Sequence, residues 1–305
     1  MSRRLVVIAY SIAALALAAQ WTAAKIALAA IPPFELSTLR FAIASVLLVV
    51  VAVVTRTRLP IRRWRPVMAA AVFGVVGFNA LAFLGLRLTP ASDSALIVPT
   101  TIPVATALLA TLIHERLTSR RTLGLCVASV GAAIVIVGGQ PLGGDISTAR
   151  LLGDLLEIGS AFAWAACLTI STLVVRTESV LGFVTMSSLV GTALLVPLGF
   201  LENGYADIAT MGDRSWFAVA VLGVLSTFVA FLIFFWAVSR FGPSRGALIS
   251  YLAPVAGLLF AFIVLGDQPA PVQLAGAVII LTGVRVLAVA PRATAVRVPG
   301  PILPA

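Results

Sequence analysis

The sequence predicts an all-α integral membrane protein: ten transmembrane helices arranged as two inverted five-helix repeats around a central cavity. Three observations predict it. The 305 residues are 61% hydrophobic and only 10% charged, with a mean hydropathy of +1.12, too little charge to cover a water-exposed surface. Apolar runs of membrane-spanning length recur along the whole chain. A shift of 152 residues lays part of the first half onto the second.

Breaks at charged or Pro/Gly-rich stretches divide the chain into ten apolar runs, near 5–30, 34–54, 66–86, 91–113, 122–139, 151–175, 180–201, 215–238, 244–265 and 271–290. Arg3-Arg4 and the apolar run up to Ala19, with small residues at Ala16 and Ala18, imitate a secretory signal. The run continues through Trp21 and Lys25 to Ala30, so it is read as an uncleaved first span.

Arginine placement sets the orientation. With the N-terminus inside, fifteen arginines fall in cytoplasmic segments and three, Arg87, Arg150 and Arg214, fall outside. This positive-inside bias puts both termini in the cytoplasm of a multi-pass inner-membrane protein. The formal net charge of +10 comes from those clusters, so nucleic-acid binding is not expected. The last segment, 292–305, reads as a flexible cytoplasmic tail.

Within the repeat, Ala95-Leu96-Ile97 meets Ala247-Leu248-Ile249, Glu115 meets Asp267, Gly124 meets Gly276 and Gly131 meets Gly283. An acid at a span end followed by two glycines at common spacing marks a duplicated unit, giving repeats at 1–142 and 143–291. Five spans is an odd number, so the halves enter the bilayer in opposite directions, as in carriers that alternate access around a midplane site. Gly124, Gly131 and Gly138 recur every seven residues and line one helix face. That face serves packing within a monomer or, alternatively, a dimer interface.

These features resemble the EamA-type transporters of the drug/metabolite transporter superfamily. The residues carrying the resemblance are Trp21 to Lys25, Pro32-Pro33 leading to Leu39-Arg40-Phe41, Ser94-Ala95 through Pro103, and His114 to Thr118 with Gly124 and Gly131. In the second half they are Gly153-Asp154, Trp164, Pro243, Pro254, Gly266-Asp267 and Gly276. Asp267 stands where the family pattern more often has Glu. The resemblance implies ten helices around a cavity and export of small metabolites, most of all amino acids or their derivatives. It implies a small-molecule substrate and no cofactor, with proton coupling left open. A multidrug or other small-solute permease is the nearest alternative; a channel or an intramembrane enzyme stands further off. An enzyme is not expected: His114 is the sole histidine, so a paired-histidine metal motif is excluded, and no phosphate-binding glycine loop is present.

Charges inside spans face polar interiors. Lys25, Arg40 and Glu157 each fall about six residues, about 9 Å, from the outer end of their runs, which suggests one charged cluster at the outer mouth. There Lys25 or Arg40 attracts a substrate carboxylate while Glu157 pairs with the cation or handles a proton; the structural alternative is an ion pair, or snorkelling. Asp154 reads as an interfacial charge at a helix N-terminus, and Arg285 as snorkelling. Gln20, Trp21, Asn79, Thr100, Trp164, Ser250 and Tyr251 offer polar or amphipathic groups for substrate binding, with Trp21 and Trp164 as walls of one cavity. Pro99, Pro103 and Pro254 interrupt helical hydrogen bonding and are candidate gating hinges. No metal or catalytic residue is expected.

Overall fold

The computed structural model describes residues 3–112, 119–138, 147–241 and 253–289, and every element among them is helical. In chain order the helices are α1 (Arg3–Leu28), α2 (Pro33–Val54), α3 (Ile61–Leu88), α4 (Ala91–Leu112), α5 (Ser119–Gly138), α6 (Thr148–Val175), α7 (Val180–Glu202), α8 (213–241), α9 (253–265) and α10 (Pro271–Val289). They fall on the apolar runs of the sequence to within about five residues, except that the first part of the run 244–265 lies outside the described residues. Among the described residues, six stretches are long and apolar enough to cross a membrane: Ile8–Leu28, Pro33–Val54, Ile61–Leu88, Thr148–Val175, Val180–Glu202 and Asp213–Arg240. His114, Glu115, Pro243, Ser250, Tyr251 and the segment 292–305 lie outside the described residues.

Local chemistry fixes the helix ends. Pro33 opens α2, where its missing N–H costs nothing. The next free donors, the N–H groups of Phe34 and Glu35, bond to Glu202 Oε2 at 2.7 and 3.2 Å, so the last residue of α7 caps the first turn of α2. Ser147 and Ser179 cap α6 and α7 by accepting from the N–H of Arg150 and of Gly182.

Three antiparallel pairs hold the bundle. α2 runs against α7, with the Ser45 and Thr192 hydroxyls 3.3 Å apart and Gly182 against the Arg58 carbonyl. α3 runs against α6, where Gly85 and Gly153 approach so closely that a Cβ on either would lie 2.8 or 3.0 Å from the other's carbonyl oxygen. α5 runs against α10 along the predicted glycine face. A Cβ at Gly131 would stand 2.8 Å from Gly276 O, one at Gly276 2.9 Å from Gly131 O, and one at Gly283 2.7 Å from Gly124 O. The heptad glycines are therefore used inside the chain, which leaves that face unavailable to a second copy. Around these pairs, α1 packs on α8 and α9, while α6 packs on α3 and α4.

Three described helices contain π-helical segments, Val72–Gly77 in α3, Val221–Val229 in α8 and Ala261–Leu265 in α9, and those of α3 and α8 stand at matching places. Each such segment offsets the ladder by one residue and redirects the side chains that follow.

Asp154 departs from expectation. It is fully buried in the α6 interior rather than interfacial, because it lies a full turn and more beyond the Ser147 cap, on the side covered by neighbouring helices. Arg285, by contrast, is exposed on α10.

The glycine seam gives a direct test. Gly131→Val should lower the thermal midpoint of the detergent-solubilised protein, since a side chain there meets backbone that cannot yield, an overpacking cost of about 1–3 kcal/mol or more. Gly212→Ala, where an added Cβ meets nothing within 4 Å, should leave the midpoint unchanged.

Candidate functional site

The interior of the bundle holds a small cavity walled by α1, α3, α4, α6, α8 and α9. Leu17, Gln20 and Trp21 come from α1, Phe78 from α3, Val98, Pro99 and Ile102 from α4, Trp164 from α6, Phe231 and Phe234 from α8, and Ala253 from α9. Its free space is about 30 Å³, room for about two water molecules. The wall is aromatic. Trp164 lies at its centre, 5.0 Å from Phe231, 5.1 Å from Phe78 and 5.9 Å from Phe234, and Phe78 in turn stands 6.5 Å from Trp21. Trp21 and Trp164 thus line one cavity. The indole N–H of Trp21 is buried with no acceptor, a donor left unspent at the wall.

Gln20 is the polar residue of the lining, and it leads to a charge. The Arg40 guanidinium is fully buried and donates from Nη2 to Gln20 Oε1 (3.1 Å), from Nη1 to Asn79 Oδ1 (3.1 Å) and from Nε to Thr227 Oγ1 (2.6 Å). It also sits over the rings of Phe41, Phe83 and Phe231 at 5.5 to 6.0 Å. None of its partners is an acid. Burying an unpaired charge costs several kcal/mol; three charge-assisted hydrogen bonds and the aromatic faces offset this. The π-helical segments of α3 and α8 both serve the arrangement. Thr227 lies inside one and donates to Leu222 O, and Asn79 follows the other and donates to Val75 O.

The other in-span charges stand elsewhere. Lys25 Nζ donates to the carbonyls of Leu86 and Thr89, both at 2.6 Å, closing the C-terminal end of α3. Glu157 Oε1 accepts from Ser94 Oγ at 2.5 Å. Arg40 therefore stands apart from Lys25 and Glu157, so the three do not form the single cluster their equal depths suggested. Depth fixes position along a helix but not rotation about it: Arg40 turns toward α1, α3 and α8, and Glu157 toward α4.

Thr100 is also displaced from its expected role. Its hydroxyl bonds back to the carbonyls of Leu96 and Ile97 in its own turn, so it contributes nothing to the cavity. Pro99 lines the cavity, Pro103 sits a turn deeper in α4, and Pro254 is buried next to the lining residue Ala253. Sequence reasoning missed Thr227, the phenylalanines of the wall and a polar group of Asp93, Arg150 and Gln273. Asp93 accepts from Arg150 at 2.6 and 2.8 Å and from Gln273 at 2.7 Å. Asp93 was the available signal, as an acid in the first turn of an apolar run; the phenylalanines carry none that separates them from lipid-facing rings.

The sequence profile of the EamA-like transporter family matches residues 4–137 and again 151–289. The chain belongs to that family. Among its relatives, the uncharacterized transporter YyaM of Bacillus subtilis is 27% identical over 70% of this chain and 69% of its own. A probable amino-acid metabolite efflux pump of Salmonella typhimurium is 28% identical over 85% and 86%. A probable terminal-alkyne amino-acid exporter of Streptantibioticus cattleyicolor is 27% identical over 83% and 82%. A solved crystal structure, 23% identical, superposes with a TM-score of 0.68 over 93% of this chain and 96% of its own, which shows a shared fold.

As a member of an EamA-like transporter family the protein is an integral membrane protein, and its buried polar groups face other helices rather than lipid. Asn79→Ala would leave a guanidinium N–H unpaired in that interior. Thermal unfolding of the solubilised variant should show a loss of about 1–3 kcal/mol.

Proposed function

We propose that the protein is a secondary carrier that exports amino acids or their derivatives across the inner membrane by alternating access, as a monomer of ten transmembrane helices with both termini cytoplasmic. The observation that carries this reading is the Gln20–Arg40 pair at the edge of an aromatic cavity. A buried cation with no protein anion is complementary to a carboxylate, and Gln20, bonded to it and exposed to the cavity, is the contact through which that charge reaches a substrate. The ring wall suits an apolar or aromatic side chain. A cationic drug would meet the charge of Arg40, which favours the amino-acid reading over a multidrug permease. Two relatives are named for amino-acid or amino-acid-metabolite export, in agreement with it.

The geometry also supports alternating access. Three helices from each half, α1, α3 and α4 with α6, α8 and α9, wall the cavity. The packing is reciprocal: α1 against α8 and α9 answers α6 against α3 and α4. The twofold match of the family profile, the paired π-helical segments and the three antiparallel cross-half pairs all suit two inverted repeats, 1–142 and 143–291. About 30 Å³ is far too little for an amino acid, so loading requires the cavity walls to move. Breaks at Pro99, Pro103 and Pro254 lie where such motion would act on the wall. No cofactor and no catalytic group enter this mechanism.

Counterflow in proteoliposomes tests it. Radiolabelled phenylalanine should enter faster when unlabelled phenylalanine is trapped inside, and Gln20→Glu, which hands Arg40 a carboxylate of the protein's own, should reduce that exchange at least about tenfold, equivalent to about 1.4 kcal/mol of lost substrate interaction. Absence of exchange stimulation with every proteinogenic amino acid would overturn the assignment.

A further inference from the structure

Away from the aromatic cavity, at the end of the bundle where α1, α3, α4 and α6 meet, two carboxylates are buried without a neutralising partner. Asp154 is fully buried and neither of its oxygens has a hydrogen-bond donor; Glu157, one turn on along α6, is fully buried and its Oε2 has none. Every neighbouring element has been given its own task. From α1, the Lys25 ammonium is held by the carbonyls of Leu86 and Thr89. From α4, Ser94 donates to Glu157 Oε1, and Asp93 adds a further negative charge. On α6, Arg150 is spent on Asp93, which also takes Gln273 of α10. Asp267, between α9 and α10, accepts from the Ser92 N–H. α3 presents Gly85 to Glu157, and the exposed Arg87 acts on Glu202 instead. Four acids, Asp93, Asp154, Glu157 and Asp267, thus face two cations, Lys25 and Arg150.

Two uncompensated carboxylates in a dry interior cannot both stay charged. Protons can neutralise them where they stand, and among the described residues no three acidic, histidine or cysteine side chains form a group that could hold a metal ion. We propose that Glu157 and Asp154 form a proton-binding site that couples the carrier to the transmembrane proton gradient, with Lys25 as the partner that responds to its occupancy. This rests on the carrier reading above for the coupling, though not for the proton site itself.

A proton taken up at Glu157 Oε2 forms a neutral carboxyl group and leaves Lys25 on the α3 carbonyls. Its release on the other side restores the carboxylate, whose charge draws the Lys25 ammonium off Leu86 and Thr89 and frees α1 from the end of α3. One proton crosses per cycle in the sense opposite to the exported substrate.

Infrared difference spectra of the full chain in lipid nanodiscs, titrated with pH, read the proton directly. The wild type should show a protonated-carboxyl C=O band that Glu157→Gln and Asp154→Asn each diminish, and that Glu157→Asp shifts but keeps. A band identical to wild type in all three variants overturns the site. In proteoliposomes, an interior-acid gradient of one pH unit should drive phenylalanine accumulation up to about tenfold at one-to-one coupling. The ratio of uptake with the gradient to uptake without it should fall to about one in Glu157→Gln. Working phenylalanine exchange with a wild-type ratio of one, or a response to a sodium gradient instead, overturns the coupling and leaves the carrier standing. No exchange at all removes the carrier reading, and the infrared band then decides the proton site alone.

Discussion

A full positive charge buried among neutral partners is the constraint on which the interior depends. Arg40 comes from α2, and its donors are met by Gln20 on α1, Asn79 on α3 and Thr227 on α8. Removing any partner would leave a guanidinium donor in an apolar surround, so the four helices are held in one relative rotation. The widened turns of α3 and α8 follow from the same demand, since they bring Asn79 and Thr227 within reach of a single guanidinium. A buried ion pair would have satisfied Arg40 more completely. Its absence leaves a site with net positive character next to a ring-lined space.

Around this centre the bundle divides into seams that cannot slide and surfaces that can. Where α5 meets α10 and α3 meets α6, backbone touches backbone through glycine, and any relative shift would drive carbonyls into one another. At the level of the cavity itself the contacts are of another kind. The walls meet through aromatic rings at 5 to 6.5 Å and through α4, in which Pro99 and Pro103 each remove a backbone hydrogen bond. Rigid cross-pairs flanking a soft centre are what a rocking bundle requires.

The helix positions were legible in the sequence because a lipid solvent demands long apolar runs and punishes charge within them. The glycine seam was legible for a related reason: a seven-residue spacing of glycines has meaning only on one helix face. Rotation was less so. Equal depth placed Lys25, Arg40 and Glu157 together, yet the long Arg40 side chain reaches Gln20 at the cavity edge, while Lys25, further along α1, closes the end of α3. The π-helical segments that bring Asn79 and Thr227 to Arg40 have no signature in the apolar sequences Val72–Gly77 and Val221–Val229. Thr100 illustrates a further ambiguity, because a hydroxyl beside prolines can serve a ligand or its own backbone, and here it serves the backbone. Trp21 and Trp164 line one cavity, Trp21 from α1 and Trp164 from α6.

The two polar layers of the interior share one helix. Gln20, which carries the influence of Arg40 to the cavity, and Lys25, which closes the end of α3 beside Glu157, lie five residues apart on α1, about 7.5 Å along its axis. α1 packs on α8 and α9 of the other half, so it is the element on which both layers and the interface between halves converge. A small rotation of α1 would change the Gln20–Arg40 bond and the Lys25 carbonyl bonds together. The stiffness of a single helix is sufficient to link the two hydrogen-bonded layers.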